Sequence, residues 1–320
     1  MKERTLRLAS LSLRSGEDRR GGSDGLDTKI DSQGAIMSHE FIDVSITGRI
    51  TTITIRRPEV MNALHPYALM EMDAAFDAFH HDDEQWVAIL TGAGDRAFCA
   101  GNDLKFQADH GAERVRELRS GLVGGFGGLT RRVGCYKPII AAVNGLALGG
   151  GFEIALACDI IVAVDHATFG LPEPKVGLMA AAGGVHRLPR QIPWHAAMAV
   201  ILAGKRLTAA QALSFGLVNE VVPSPSSSEG EGDEASKAVD GEEGASGLMV
   251  AARRWAEDIL AGAPLSVRAS KEAVVMGAAM PLEHAIDSVF PIARRMYESQ
   301  DLVEGPRAFA EKRKPNWQGR

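Results

Sequence analysis

The residues with the clearest capacity for chemistry lie between Lys137 and Glu173, in the stretch KPIIAAVNGLALGGGFEIALACDIIVAVDHATFGLPE. Two carboxylates, Glu153 and Glu173, accompany a run of three glycines, Gly149, Gly150 and Gly151. The glycines open a helix expected from Phe152 to about Cys158, with Glu153 in its first turn. A helix start leaves backbone N–H groups unpaired, and the helix dipole favours negative charge there. With no Cβ in the way, a ligand can approach that backbone closely. Such a site can hold an oxyanion beside an acid/base group. The same residues also suit a plainer role, a tight turn with close helix–sheet packing and a dipole-favoured surface Glu. This stretch alone does not separate the two.

The elements that must position these groups are legible around them. Ile139, Ile140 and Val143 belong to an apolar, β-branched run that reads as a buried strand, and Asn144-Gly145 turns the chain after it. Ile160 to Val164 reads as a second buried strand. Glu173 follows a Pro in an irregular segment beyond it. A further glycine site, Ala97 to Lys105 (AFCAGNDLK), comes after a strand at Val87 to Thr91 and the turn Gly92-Ala93-Gly94-Asp95.

Together AFCAGNDLK, NGLALGGGFE and FGLPE resemble the crotonase family, also called the enoyl-CoA hydratase/isomerase family. The likeness runs from about Ile42 to Trp317. It implies an α/β fold, a spiral of ββα turns followed by a C-terminal helical trimerisation region, with no internal repeat visible in the sequence. It also implies an acyl-CoA substrate and an oxyanion hole built from the N–H groups of Ala100 and Gly150. Ala100, Gly101, Asn102, Asp103, Gly149, Gly150 and Lys312 match positions that hold the CoA thioester. Glu153 matches the group that positions and deprotonates water, and Glu173 the group that exchanges the α-proton. Having both carboxylates favours hydration or dehydration over double-bond migration. The implied reaction is reversible hydration of a 2-enoyl-CoA to a 3-hydroxyacyl-CoA, with no metal and no cofactor besides the CoA of the substrate. Homotrimers or homohexamers are the implied assemblies.

Rival readings are an enoyl-CoA isomerase, a carnitinyl-CoA-type dehydratase, and a non-catalytic or RNA-binding protein of the same fold. The segments around Ala100 and Glu173 look closest to the carnitinyl-CoA dehydratase branch. After Glu173 the chain reads Gly177-Leu178-Met179-Ala180-Ala181-Ala182-Gly183-Gly184, where the family usually has Pro and Gly at the positions of Ala180 and Ala181. That departure leaves the acyl group open.

Composition narrows the classes further. With 320 residues, 45% of them hydrophobic, and a mean hydropathy of -0.04, the chain reads as soluble and globular. No apolar run approaches the ~20 residues of a membrane span. A net charge of -6 argues against nucleic acid as the main ligand. Cys99, Cys135 and Cys158 have no metal spacing and cannot all pair, which suggests a reducing, intracellular compartment, mitochondrial or cytoplasmic. Cys99 adjoins Ala100, but with no His motif beside it the expectation is a small packing residue.

Four regions follow. Residues 1–36 are expected to be a disordered extension; its basic, Ser/Leu-rich start resembles a presequence, while Glu3, Glu17 and Asp18 favour a non-functional extension or a start at Met37. Residues 37–222 form the core carrying the acyl-CoA site. Residues 223–247, rich in Ser, Glu and Gly, are an expected disordered insert, and 248–320 a helical oligomerisation region. Within these, a hairpin is expected at Phe41–Ile46 and Ile50–Ile55, and helices at Pro66–Phe79, Gly183–Arg190, Trp194–Leu202, Val267–Met280 and Leu282–Tyr297. Arg57 is expected near CoA or in solvent. His65 and His186 are read as satisfied or surface residues, and the adjacent His80 and His81 face apart on a helix rather than sharing a metal.

Overall fold

A computed structural model describes residues 39–224 and 246–320. The expectations for the N-terminal extension, and for all but the ends of the acidic insert, lie outside the described residues.

The chain enters on the expected hairpin. Strands β1 (Ile42–Thr47) and β2 (Ile50–Ile55) pair antiparallel, with Thr47 opposite Ile50 and Gly48 at φ +57° in the turn. Alternation along β2 sends Ile53 and Ile55 fully into the core. Thereafter successive strands alternate between two sheets. β3 (Val87–Gly92), β5 (Ile139–Val143), β7 (Ile160–Val164) and β10 (Glu220–Val222) extend the hairpin sheet in the order β1-β2-β3-β5-β7-β10, all parallel from β2 onward. β4 (Ala97–Cys99), β6 (Leu146–Leu148), β8 (Thr168–Gly170) and β9 (Arg206–Thr208) form the smaller sheet β4-β6-β8-β9, parallel except at its last pair. From β3 to β8 each turn of chain lays one strand in the large sheet and the next in the small one, which is the spiral; β9 stays in the small sheet before β10 returns to the large one. β3 and β5 are buried at every position, as parallel strands covered on both faces must be.

Helices close the turns. α1 (Pro66–His81) buries Leu69, Met72, Phe76 and Phe79 against the core and is capped by the buried His65, whose Nδ1 accepts the Ala68 N–H at 3.1 Å. Capping accounts for His65, which is satisfied rather than catalytic. α2 (Leu104–His110) and α3 (Ala112–Arg119) follow β4. α4 (Gly150–Ala155) follows β6 and is shorter than expected, because i→i+3 bonds at Ala157 and Cys158 tighten the chain before Ile160 enters β7. α5 (Gly184–Gln191) and α6 (Trp194–Ala203) lie near the expected positions; α7 (Ala209–Ser214) follows, with Thr208 and Gln211 forming its capping box.

α8 (Gly247–Leu260) covers the large sheet with Leu248, Ala252 and Ala256. α9 runs Pro264–Gly277, three residues ahead of the expected start, because Pro264 suits the first helical position. The expected helix Leu282–Tyr297 is two helices, α10 (Leu282–Asp287) and α11 (Pro291–Tyr297). Pro291 has no N–H and forces Phe290 into extended backbone (φ −76°, ψ 159°), which breaks the run. α12 (Asp301–Ala310) ends the fold, and the tail returns so that Trp317 donates to the Ala261 carbonyl at 2.8 Å. No helix among the described residues is long and apolar enough to cross a membrane.

Candidate active site

Two polar side chains hold the floor of the site. Asn144, read in the sequence only as a turn, donates to the carbonyls of Gly92, Gly94 and Ala97 at 2.8, 2.7 and 3.2 Å. Asn62, fully buried at φ +55°, donates to Ala93 and Ala97 and accepts the Arg57 N–H. Between them they bond the carbonyls of the β3–β4 turn, including those of the buried Gly92 and Ala97.

Upon this floor the two glycine segments meet. Gly101 has φ +93°, and a Cβ there would stand 2.8 Å from the Leu148 carbonyl and 3.0 Å from the Gly150 nitrogen. A Cβ on Gly151 would lie 2.0 Å from the Cys99 carbonyl. Only glycine allows this approach. The Phe126 ring covers Gly150, since a Cβ on Gly150 would meet it at 2.4 Å. Nothing in the local sequence marks Phe126 for that role.

The amides decide which groups can receive a ligand. Gly150 opens α4, and its N–H makes no hydrogen bond among the described residues. The Ala100 N–H, expected to be the second free donor, is committed to the Met61 carbonyl at 3.0 Å. That expectation is corrected: an amide already bonded inside the fold is not available to an oxyanion. The Asn102 N–H is the amide left open instead. Leu64 donates to the Gly101 carbonyl and accepts from Asp103, so the Asn102 N–H points away from that pairing and is unpaired among the described residues.

The carboxylates converge on the same edge. Glu153 is 4% exposed, and its Oε1 accepts the Gly184 N–H at 2.8 Å. Burial pushes its carboxyl up to about 7; Glu173 pushes the same way, while the Gly184 and Ala182 amides and the Arg187 guanidinium pull back. Glu173 is also raised by burial, and its Oε2 is buried without a partner. Its Oε1 lies 3.2 Å from the place a Gly149 Cβ would occupy, so the two acids flank the start of α4. Arg187 is itself held by the Thr130 and Ala182 carbonyls. Its place beside Glu153 is not legible in the sequence, because Glu153 and Thr130 come from distant segments.

Other expected residues have different surroundings. The Asp103 side chain caps α2 through Phe106 and pairs with Arg57 at 3.0 Å, both side chains being 11% exposed. Burial pushes the Asp103 carboxyl up, but the Phe106 amide and Arg57 more than offset this and the net shift is downward. Arg57 is therefore neither solvated nor free. The Asn102 side chain is bonded to Gln107 and Arg119. Lys312 is exposed just past α12 at φ +54°, outside the group gathered around the acids. Cys99 is fully buried and its thiol is pushed up to about 12 by burial, which removes it as a nucleophile. Among the described residues no group of three or more His, Cys, Asp or Glu could hold a metal.

A two-sheet spiral with paired acids at a glycine-opened helix defines a class, and comparison with known proteins agrees. The enoyl-CoA hydratase/isomerase family model matches residues 45–320, and the chain is an enzyme of that family. It is 40% identical over 277 residues to carnitinyl-CoA dehydratase from Citrobacter koseri, covering 85% of this chain and 96% of that protein. The Escherichia coli strain K12 protein of the same name is 40% identical over 285 residues, covering 88% and 99%. Among solved structures, enoyl-CoA hydratase EchA1 from Mycobacterium marinum superposes with a TM-score of 0.74 at 37% identity, covering 88% of this chain and 99% of that one. Enoyl-CoA hydratase from Mycobacterium tuberculosis H37Rv gives a TM-score of 0.74 at 36% identity, with the same coverage.

Proposed function

We propose that the chain is an acyl-CoA hydro-lyase that interconverts a 2-enoyl-CoA and a 3-hydroxyacyl-CoA. The observation that carries this reading is the pair of acids at the α4 N-terminus, buried Glu153 and half-buried Glu173, both with raised proton affinity. Double-bond migration needs one proton-transfer group that serves two carbons. Adding water needs one group to take a proton from water and another to deliver one to the α-carbon.

In the hydration direction ionised Glu153 takes a proton from water, and the water oxygen bonds to the β-carbon. The C=C electron pair moves into the thioester, whose oxygen gains negative charge. The Gly150 and Asn102 N–H groups receive that oxygen, supported by the helix dipole. Protonated Glu173 then gives its proton to the α-carbon, and the enolate collapses to the 3-hydroxyacyl thioester. Dehydration runs the same steps backwards. Lys312 remains a candidate for the CoA phosphates as a flexible point charge at the surface.

The carnitinyl-CoA dehydratase names of the relatives make a carnitine-type acyl group the first alternative to a simple enoyl chain. Val274, Leu282, Ile286, Val303 and Phe309 on α9 to α12 are each about 70% exposed or more. Such apolar faces suit burial between copies of the chain, in the trimer or hexamer expected above.

The test is the absorbance of the conjugated thioester. Crotonyl-CoA and a carnitine-type enoyl-CoA are mixed with the protein, and at least one is expected to lose absorbance. Glu153→Gln should remove this activity. Isomerisation of a 3-enoyl-CoA with no hydration of either thioester would replace this reading with the isomerase.

A further inference from the structure

At the far end of β5 from Asn144, where the strand begins, lies a cavity of about 150 Å³ whose charged lining is mostly cationic. Lys137, Arg268 and Arg295 line it together with His80 and Tyr136, and Asp83 is the one lining carboxylate. Arg268 is only 9% exposed, and its Nε is buried without a partner. Its ion pair with Asp83 is long, 4.0 Å, and the Asp83 side chain is 89% exposed. His80 Nδ1 is also buried and unpartnered. Lys137, 4% exposed, donates to the Phe79 and Asp82 carbonyls at 2.7 and 2.6 Å, which leaves one of its N–H donors. Arg295 makes no ion pair among the described residues. Glu272, the neighbouring buried carboxylate, is turned to the Ile292 N–H at 2.7 Å.

Three cations thus line a shared space whose one lining carboxylate is well solvated, with Glu272 behind the wall and bonded to Ile292. Like charges at such range repel, most of all where water is partly excluded. The Arg268 Nε–H, a buried donor without an acceptor, adds to the cost. Both deficits are met by one thing, an anion with several acceptor oxygens. A divalent oxyanion offers enough lone pairs for the Arg268 Nε, the Arg295 guanidinium and the free Lys137 donor at once, and such charge-assisted bonds are the strong ones.

We propose that this cavity binds a small oxyanion of the phosphate class, at a site separate from the acyl-CoA site. A cavity of about 150 Å³ has room for a phosphate-sized anion with water around it. Separation follows from the topology. Lys137 precedes β5 and Asn144 ends it, so the cavity and the glycine segments are about 20 Å apart along the strand. The site goes beyond the hydro-lyase reading and stands or falls independently of it.

The experiment is thermal unfolding of the full chain against inorganic phosphate at constant ionic strength, with chloride as the balancing anion. Wild type is expected to show a saturable rise in the unfolding midpoint, as a ligand of the native state requires. Arg295→Gln, at an exposed position, should weaken the apparent phosphate affinity at least tenfold while the protein stays folded. Arg268→Gln should do the same where it folds. The response should persist with saturating CoA present. Equal phosphate responses in wild type and Arg295→Gln would overturn the site, as would loss of the response when CoA is added. A drop in particle mass on sedimentation of Arg295→Gln, with the phosphate response intact, would also overturn it and give the cluster to a contact between copies.

Discussion

Gly149 makes room for Glu173: a Cβ on Gly149 would stand 3.2 Å from Glu173 Oε1. The same glycine sits at φ +54° and ψ −127°, a conformation side chains disfavour, and its N–H bonds the Gly170 carbonyl at 2.8 Å. One backbone position therefore sets the start of α4 and the placement of an acid from a different strand connection. Gly149→Ala should cost about 1–3 kcal/mol of stability through the backbone. Pushing Glu173 aside should cost about 10²-fold in kcat. Urea unfolding and initial rates on the same preparation check both. A folded variant with wild-type turnover would separate Glu173 from the chemistry.

Glu153→Gln and Glu173→Gln should each lower kcat by about 10²–10⁴, the usual contribution of a positioned acid or base. In Glu153→Gln the side-chain amide oxygen can still accept the Gly184 N–H, so the melting temperature should hold or rise, because a buried charge is gone. Rates and melting curves together distinguish loss of chemistry from loss of fold.

Protonation of Glu153 links stability to pH. Its carboxyl is raised from 4.5 to about 7 in the folded chain. Between these values the native state binds more protons than the unfolded state, so stability falls as pH rises through the window. The contribution is fully present below 4.5 and gone above about 7, roughly 3 kcal/mol in all. The stability difference between wild type and Glu153→Gln, measured by denaturant at steps from pH 4.5 to 7.5, should change by this amount. A flat difference would show an unperturbed carboxyl.

The assignment of the oxyanion donors is testable at single atoms. Replacing the residue-102 amide by an ester removes the Asn102 N–H and should lower kcat by about 10²–10³, the cost of one oxyanion-hole donor. The same replacement at residue 100 removes the bond to Met61 and should act on stability, by about 1 kcal/mol, rather than on rate. The reverse pattern would restore Ala100 as the donor.

Breaking the Arg57–Asp103 pair should be costly, since both side chains are 11% exposed and Asp103 also caps α2. Asp103→Ala leaves Arg57 uncompensated and is expected to destabilise by about 3–5 kcal/mol. A change in the KM for CoA thioesters with stability unchanged would instead place Asp103 at the ligand.

Much of this site was legible before any coordinates. The Gly149-Gly150-Gly151 run, Glu153 in the first turn and the apolar strands β5 and β7 are local patterns, and local patterns survive as local structure. The break of the last long helix at Pro291 was present in the sequence too, as a proline inside an apolar-periodic run. The apolar period runs through that proline, so periodicity alone does not mark the break.

By itself the sequence determined the order of elements and the class of fold through its motifs, because these depend on neighbours along the chain. The tertiary structure alone decided which amide is free, since Ala100 is taken by Met61 and Asn102 is released by Leu64, both from a segment far upstream. It decided that Asp103 answers to Arg57, and that Glu153 lies deep enough beside Glu173 to hold a proton near neutral pH. Hydrogen-bond commitment and desolvation are properties of what the folded chain packs around a group, and no spacing within one segment records them.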